Sequence, residues 1–538
     1  MNLQRFGLML DMSRNSVMAP EEVKHFADVA KKLGYNMLQL YTEDTYEIPG
    51  EPYFGYLRGR YTQAEMKDMV AYCDSIGVEL IPCIQTLAHL PAIFRWDAYR
   101  NIRDTADILF VGEDGTYELI ENMFRSLRAC FTSKHIHIGM DEAFNLGMGA
   151  YLKKHGLTNR FDIIHSHLER VIALAKKYDF TPIMWSDMFF RMANNGEYVI
   201  QDLSAITDEV LNACPDGVEL VYWDYYSDDK DQYDRMIDAH AKFPGEVWFA
   251  GGAWSWQGFV PGNRWTLESM LPAMQACREK GVENIFLTMW GDNGGECSFW
   301  ALLPSLYAVR RFYDGVFDME QIKREFAELT GERFDDMMLL DLPIDLGNLQ
   351  YISGAPHKSA LYNDAFLGIF DKALLPGVKE QYAAMAERLA PLAERNSPFA
   401  YLYRQMTDLC RLLSVKYDLG LRTREAYQAG NKDALRALVP VYAEALARAE
   451  SFVDSFRTVW YKENKPHGFD VQEHRLGGLL LRLRSQGKRL ADYVEGRVDR
   501  IPELEETILP FNSENYKKAG FDFPVYNNWL GGTTVNHM

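Results

Sequence analysis

The chain has 538 residues, 47% of them hydrophobic and 25% charged, with 76 acidic against 57 basic residues and a formal charge of −19. That composition excludes a disordered chain and suits a folded protein with a large buried core. An acidic surface repels phosphate backbones, so nucleic acid is not an expected partner, and no run approaches the ~20 apolar residues that span a bilayer, so a membrane is not expected either.

In chain order, the first 315 residues alternate short apolar runs with amphipathic helical patterns. Phe6–Asp11 reads as a strand. Pro20–Leu33 reads as a helix, with proline in its first turn and Gly34 just past its end. Asn36–Tyr41 is the next strand. Thr62 and Glu65 form a capping-box pattern that opens a helix ending at Gly77. Glu79–Ile84 and His135–Gly139 are the third and fourth strands, and Phe161–Tyr178 a long helix. Thr181–Trp185, Glu219–Trp223, Glu246–Ala250 and Asn284–Trp290 complete a set of eight strands, and a helix at Ala301–Tyr313 closes it. Eight strands with helices between them predict a (β/α)8 TIM barrel over residues 1–325. The rival, a doubly wound open sheet, is weakened because no Gly-rich phosphate fingerprint follows the first strand.

Past about residue 330 the texture changes. Lys379–Arg395, Tyr401–Ala429, Lys432–Tyr461 and Val471–Val498 are amphipathic stretches rich in Ala, Leu, Glu and Arg, and predict an α-helical C-terminal domain over 326–538. Its last stretch, Phe511–Met538, is aromatic and Gly-rich, either a tail packed on the body or a frayed end. The seven cysteines are scattered with no C-x-x-C spacing, which predicts buried thiols and not a disulfide framework or zinc site. Met1–Arg14 runs straight into a strand-like segment without a leader pattern, so the expected location is the cytoplasm.

Barrel enzymes place reactive groups at the C-terminal ends of their strands. Four of those ends carry tryptophan here: Trp185, Trp223, Trp254 and Trp290. Several also carry carboxylates. Indole faces stack on sugar C–H faces and carboxylates bond hydroxyls, so the set suits a sugar site. The sharpest feature is Asp141-Glu142, directly after His137-Ile-Gly139-Met. Neighbouring carboxylates raise each other's pKa, which lets one act as an acid while the other stays ionised. Most Asp-Glu pairs are merely solvated; this one stands at a strand end.

His137-Ile-Gly139-Met-Asp141-Glu142 resembles the H-x-G-x-D-E signature of family 20 glycoside hydrolases, the β-N-acetylhexosaminidases. Leu8–Arg14 resembles that family's first-strand motif, Pro82–His89 its P-E-x-D-x-P-G-H pattern, and Trp290-Gly-Asp292 its W-x-E ending. The resemblance covers about residues 6–315, and the helical region beyond resembles the streptococcal branch. It implies a retaining exo-β-N-acetylhexosaminidase acting on glycans with a terminal β-linked GlcNAc or GalNAc. The substrate's own acetamide oxygen is the nucleophile, a substrate-assisted exception to the two-carboxylate scheme, and neither metal nor cofactor is expected.

By the same resemblance Glu142 is the acid/base, Asp141 orients the acetamide, and Arg14 holds hydroxyls of the terminal sugar. Trp185, Trp223 and Trp290 wall the pocket. Tyr225 bonds the acetamide oxygen, and Asp292, or alternatively Glu296, bonds the outer hydroxyls. The family's third-strand Asp, part of a polar relay beside the acid/base, is Gln85 here, and its Glu is Cys83; His89 and His137 remain to supply part of that relay. Asp292 is one carbon shorter than the usual Glu. The alternatives are another acetamido-sugar glycosidase, such as a lacto-N-biosidase, and a sugar-binding barrel without turnover. An intact Glu142 argues against the binder, which has no need of an acid.

Overall fold

The computed structural model describes residues 4–292, 294–346 and 355–511. Eight parallel strands form a closed barrel in sequential order: β1 (Arg5–Asp11), β2 (Met37–Tyr41), β3 (Glu79–Cys83), β4 (His135–His137), β5 (Thr181–Trp185), β6 (Glu219–Trp223), β7 (Trp248–Gly252) and β8 (Asn284–Met289). The ring closes where β1 pairs with β8, from Arg5 beside Asn284 to Leu10 beside Met289. The strands are buried almost throughout, as expected of a parallel sheet covered by helices.

Inward side chains fill the barrel, among them Met9, Ile81, Ile183, Trp248 and Phe286, so it is a packed core and not a pore. The N-terminal ends are tied by polar contacts: Arg5 Nε to Glu79 at 2.8 Å and Trp248 Nε1 to Glu219 at 2.7 Å. That leaves the opposite rim for chemistry.

Where strand limits depart from the sequence reading, the backbone explains it. β4 stops at His137, two residues early, because Gly139 and Met140 take positive φ and leave the ladder. β7 runs two residues later than expected because Gly251 and Gly252 stay in register with Leu287 and Thr288 of β8. The Thr62–Glu65 capping box is formed in both directions, and all seven cysteines are buried and unpaired.

The chain divides into two compact units. The first comprises Met1–Trp254, Thr266–Gly291 and Ser305–Glu325; the second comprises Ser255–Trp265, Asp292–Pro304 and Phe326–Met538. The second unit is helical, with long helices at Val378–Ala393, Ala400–Lys416, Leu419–Gln428, Lys432–Glu463 and Phe469–Val494. The expected helix Tyr401–Ala429 is broken at Tyr417–Asp418. The aromatic tail lies outside the described residues after Phe511. Among the described residues no helix is long and apolar enough to cross a membrane.

Candidate active site

The segment after β4 is built to turn two adjacent carboxylates in different directions. Gly139, Met140 and Glu142 have φ of 72°, 73° and 51°. For the two non-glycine residues this left-handed backbone costs on the order of 1–2 kcal/mol each. Two side chains hold it: Gln85 Oε1 accepts from the Met140 N–H at 3.1 Å, and Asp187 Oδ2 accepts from the Glu142 N–H at 3.1 Å. Glycine is required at 139 on a second ground, since a Cβ there would lie 2.1 Å from Gln85 Oε1. As a result the Asp141 side chain points inward and is 11% exposed, while that of Glu142 is 40% exposed.

Asp141 is held as an anion. Its Oδ1 accepts from Gln85 Nε2 at 2.7 Å, and its Oδ2 lies 3.1 Å from His89 Nε2 in an off-axis ion pair. Burial alone would raise its pKa, but the charge of His89 and the bonds from His89 and Gln85 outweigh burial and hold it below the usual carboxylate value. In return His89, which burial would make less basic, is pushed up to about 9, chiefly by Asp141. His89 Nε2 is also 3.7 Å from Glu142 Oε2, so one imidazolium faces both carboxylates.

Three residues not singled out by sequence complete this network. Tyr41 accepts from Gln85 Nε2 at 2.9 Å and donates to Glu43 Oε1 at 3.2 Å. Burial raises the pKa of Glu43 to about 7, against the charge of Arg14. Burial, reinforced by the charge of Asp141, also raises that of Asp187 to about 7. The signal for Glu43 was its place at the end of β2, and for Asp187 its place just past β5; neither belongs to a pattern that stands out in a single sequence.

Arg14 sits at the end of β1, with Nε 3.6 Å from Asp11 Oδ2 and a terminal nitrogen 3.4 Å from Glu43 Oε1. Asp11 is itself fixed by Ser13 and by the Gly291 N–H at 2.9 Å. The aromatic residues divide by role. Trp223 and Trp290 are partly exposed and pack on the barrel core. Trp185 lies beneath, 5.9 Å from the Trp290 ring. Tyr225 stacks 5.3 Å from Trp223, and its oxygen accepts a hydrogen bond from Trp290.

Trp254 is fully buried and donates Nε1–H to the Tyr225 carbonyl at 3.0 Å, so it supports Tyr225 and offers no open ring face. His137 is also fully buried, 4.4 Å from the Trp185 ring, with Nδ1 accepting from the Gly139 N–H. Burial lowers its pKa to about 3, so it is a neutral prop under Trp185 and Gly139. Asp292 and Glu296 fall in the second unit. There Glu296 is buried against Lys358 Nζ at 2.6 Å and Arg475 at 3.2 Å. Among the described residues no group of three or more His, Cys, Asp or Glu is arranged to hold a metal ion.

Fold and site together define a (β/α)8-barrel protein with a paired-carboxylate centre at the end of its fourth strand. The chain belongs to glycosyl hydrolase family 20: residues 5–238 match the family's catalytic domain, and residues 335–521 match the Glycoside Hydrolase 20C C-terminal domain. Among curated relatives it is similar to hexosaminidase D of Bos taurus, 25% identical over 243 residues, covering 42% of this chain and 62% of that protein. Human hexosaminidase D is 23% identical over 237 residues, covering 42% of this chain and 44% of that protein. The chain therefore spans less than two thirds of either relative. Among solved structures, a β-N-acetylhexosaminidase matches at 18% identity and a TM-score of 0.47, covering 60% of this chain and 75% of that one. The exo-β-N-acetylglucosaminidase of Vibrio harveyi matches at 16% identity and 0.46, covering 62% and 58%.

Proposed function

We propose that this protein is a retaining exo-β-N-acetylhexosaminidase that removes terminal β-linked GlcNAc or GalNAc by substrate-assisted catalysis. The observation that supports this most is the divergence of the Asp141–Glu142 pair: a buried carboxylate kept anionic beside a half-exposed one on the next residue.

Asp141 accepts the acetamide N–H and turns the acetamide oxygen toward the anomeric carbon. That oxygen attacks as the bond to the leaving oxygen breaks, and Glu142 gives the leaving oxygen its proton. The anionic Asp141 offsets the positive charge that spreads over the resulting oxazolinium-like ring. Glu142, now a carboxylate, takes a proton from water as the water oxygen attacks the same carbon from the vacated side. The ring opens, and two displacements retain the configuration. Tyr225, whose oxygen accepts from Trp290, keeps its proton and donates its O–H as a hydrogen bond to the acetamide oxygen. Trp223 and Trp290, the partly exposed rings, pack against the acetamide methyl and the sugar ring, Trp185 backs them from beneath in place of walling the pocket directly, and Arg14 holds sugar hydroxyls.

The test compares aryl release from a β-N-acetylglucosaminide with release from the matching β-glucoside, which lacks the acetamide. Fast cleavage of the first and none of the second is expected. Equal cleavage of both would mean that the protein supplies its own nucleophile and that the assisted mechanism is wrong.

A further inference from the structure

Beside the carboxylate pair, within the barrel unit, is a pocket of about 370 Å³ that none of the steps above uses. Its lining includes Phe144, Arg160, Met188, Arg191, Met192 and Asn195. The size is within the range of small-ligand sites, roughly 300–1,000 Å³.

Its position relative to Glu142 is fixed by three contacts. Phe144 is two residues on, and its N–H bonds the Glu142 carbonyl at 2.6 Å. Asp187 Oδ2 accepts from the Glu142 N–H and lies 3.4 Å from Arg191 Nε. The Arg191 guanidinium sits over the Phe144 ring, 5.3 Å from its centroid. The pocket wall thus begins two residues from the acid. In the proposed reaction Glu142 hands its proton to the leaving oxygen, so a group attached to that oxygen passes beside Glu142, where this wall is within its reach.

Two properties of the wall select a chemistry. Phe144 is 50% exposed, with the Arg191 guanidinium over the ring. A half-exposed aromatic ring suits stacking against a sugar ring. The second property is charge. The chain carries 76 acidic and 57 basic residues, yet this lining holds two arginines and no carboxylate. Arg160 is exposed and makes no ion pair among the described residues. It is also the first residue of the helix Arg160–Lys177, whose positive end adds to the same potential. The one carboxylate that pairs with Arg191, Asp187, is buried and held part-protonated near neutrality by its burial.

Resting on the hexosaminidase reading, we propose that this pocket receives the leaving sugar and favours one bearing a carboxylate, so that the preferred substrates are N-acetylhexosamines β-linked to a hexuronic acid. Arg160 and Arg191 meet the carboxylate and Phe144 underlies the ring. No bond changes at this subsite; its effect is on binding of the leaving group.

The experiment measures kcat/KM for β-GlcNAc-(1→4)-glucuronic acid and β-GlcNAc-(1→4)-glucose, with an aryl β-N-acetylglucosaminide as reference. A preference of about fivefold to tenfold for the uronic acid is expected, the size of one or two partly exposed charge contacts, and it should shrink as salt rises. Arg160→Gln should cut the ratio several-fold, and Arg160→Glu should invert it. A ratio near one in the parent protein, or a ratio that Arg160→Glu leaves unchanged, overturns the proposal. A sulfated glucose preferred over the uronic acid would also overturn it, by making the recognised anion a sulfate. If the aryl reference is not cleaved, the failure lies with the hexosaminidase reading and not with the subsite.

Discussion

Gln85 donates its side-chain N–H to Asp141 Oδ1 at 2.7 Å, and this contact has the opposite electrical sense from the aspartate found at that position in the resembled pattern. A carboxylate at 85 would stand beside Asp141 as a like charge and raise its pKa, whereas an amide donates to the anion and favours it. Gln85→Glu should therefore move the acidic limb of the kcat/KM profile upward by about one pH unit. Gln85→Leu should lower kcat about tenfold, as expected for losing one hydrogen bond to a charged group worth ~1.5 kcal/mol. Parallel pH–rate profiles of the three proteins decide it. An acidic limb that does not move in Gln85→Glu would mean that position 85 does not govern the ionisation of Asp141.

The alkaline limb has two claimants, the Glu142 proton that the leaving oxygen needs and the imidazolium of His89 beside it. The pKa of His89 is raised from 6.5 to about 9, against burial, by Asp141 and Glu43. A raised histidine contributes stability that is fully present below about 6.5 and is lost as pH climbs through about 9. Activity that depends on the imidazolium facing Asp141 and Glu142 should fall across the upper part of the same window. In His89→Gln the alkaline limb should shift, because the charge beside Glu142 is gone, with kcat reduced at every pH. Retention of the parent's alkaline limb in His89→Gln would assign the limb to another group.

Much of this arrangement was legible in the sequence because it depends on period and punctuation. Thr181–Trp185 and Glu219–Trp223 form as predicted, since an apolar run between turn signals is a local property. The Asp141–Glu142 pair was legible because it interrupts such a run at a strand end. What was not legible depends on where strands meet. Glu43 gains its importance from Arg14 past β1, and Asp187 from Glu142 past β4, contacts made only where strand ends meet. His137 and Trp254 carry the same side chains as exposed site residues do; only the structure shows them buried beneath Trp185 and behind Tyr225. Glu296 likewise reads as a loop carboxylate until Lys358, 62 residues on, is seen against it.

Glu142 is assigned the proton that the leaving oxygen needs, and that need varies with the leaving group. Glu142→Gln should slow a poor leaving group, such as a sugar, by about 10³-fold, within the range for losing general acid catalysis. A nitrophenyl leaving group, which departs with little help, should suffer far less in its first step. Single-turnover release of phenols of graded acidity from Glu142→Gln should show a steep dependence on leaving-group pKa. A flat loss across the series would point to misfolding or lost binding and not to loss of the acid.

Asp187 makes a prediction about stability. Burial, with Asp141 nearby, raises its pKa from 3.8 to about 7. A carboxylate whose folded pKa is raised lowers stability progressively as pH rises from its ordinary value to its folded value, and the full cost applies above that. Asp187→Asn keeps an oxygen to accept from the Glu142 N–H and removes the charge. Its Tm relative to the parent should therefore improve between pH 5 and pH 8. A Tm difference that is constant with pH would show that Asp187 does not titrate in this window.

The buried pair of Glu296 and Lys358 in the second unit gives a test in which the two partners are unequal. Both side chains are fully enclosed, 2.6 Å apart. Burial lowers the Lys358 pKa to about 8 even with Glu296 attracting its proton. Removing the carboxylate in Glu296→Gln leaves an enclosed ammonium with its main counter-charge gone, a change that costs roughly 3–5 kcal/mol in comparable sites. Burial then acts on Lys358 with less opposition, so its pKa should fall further and the lysine should shed its proton at lower pH. The Glu296→Gln defect should accordingly shrink as pH rises from 6 to 9. Glu296→Leu combined with Lys358→Met removes both enclosed charges and, although Arg475 also loses Glu296, its partial exposure keeps it hydrated, so part of the lost stability should be recovered. Denaturation of the single and double variants at two pH values measures the coupling directly. If Glu296→Gln is nearly neutral and indifferent to pH, Lys358 is neutralised by another group and the pair does not anchor the helical unit.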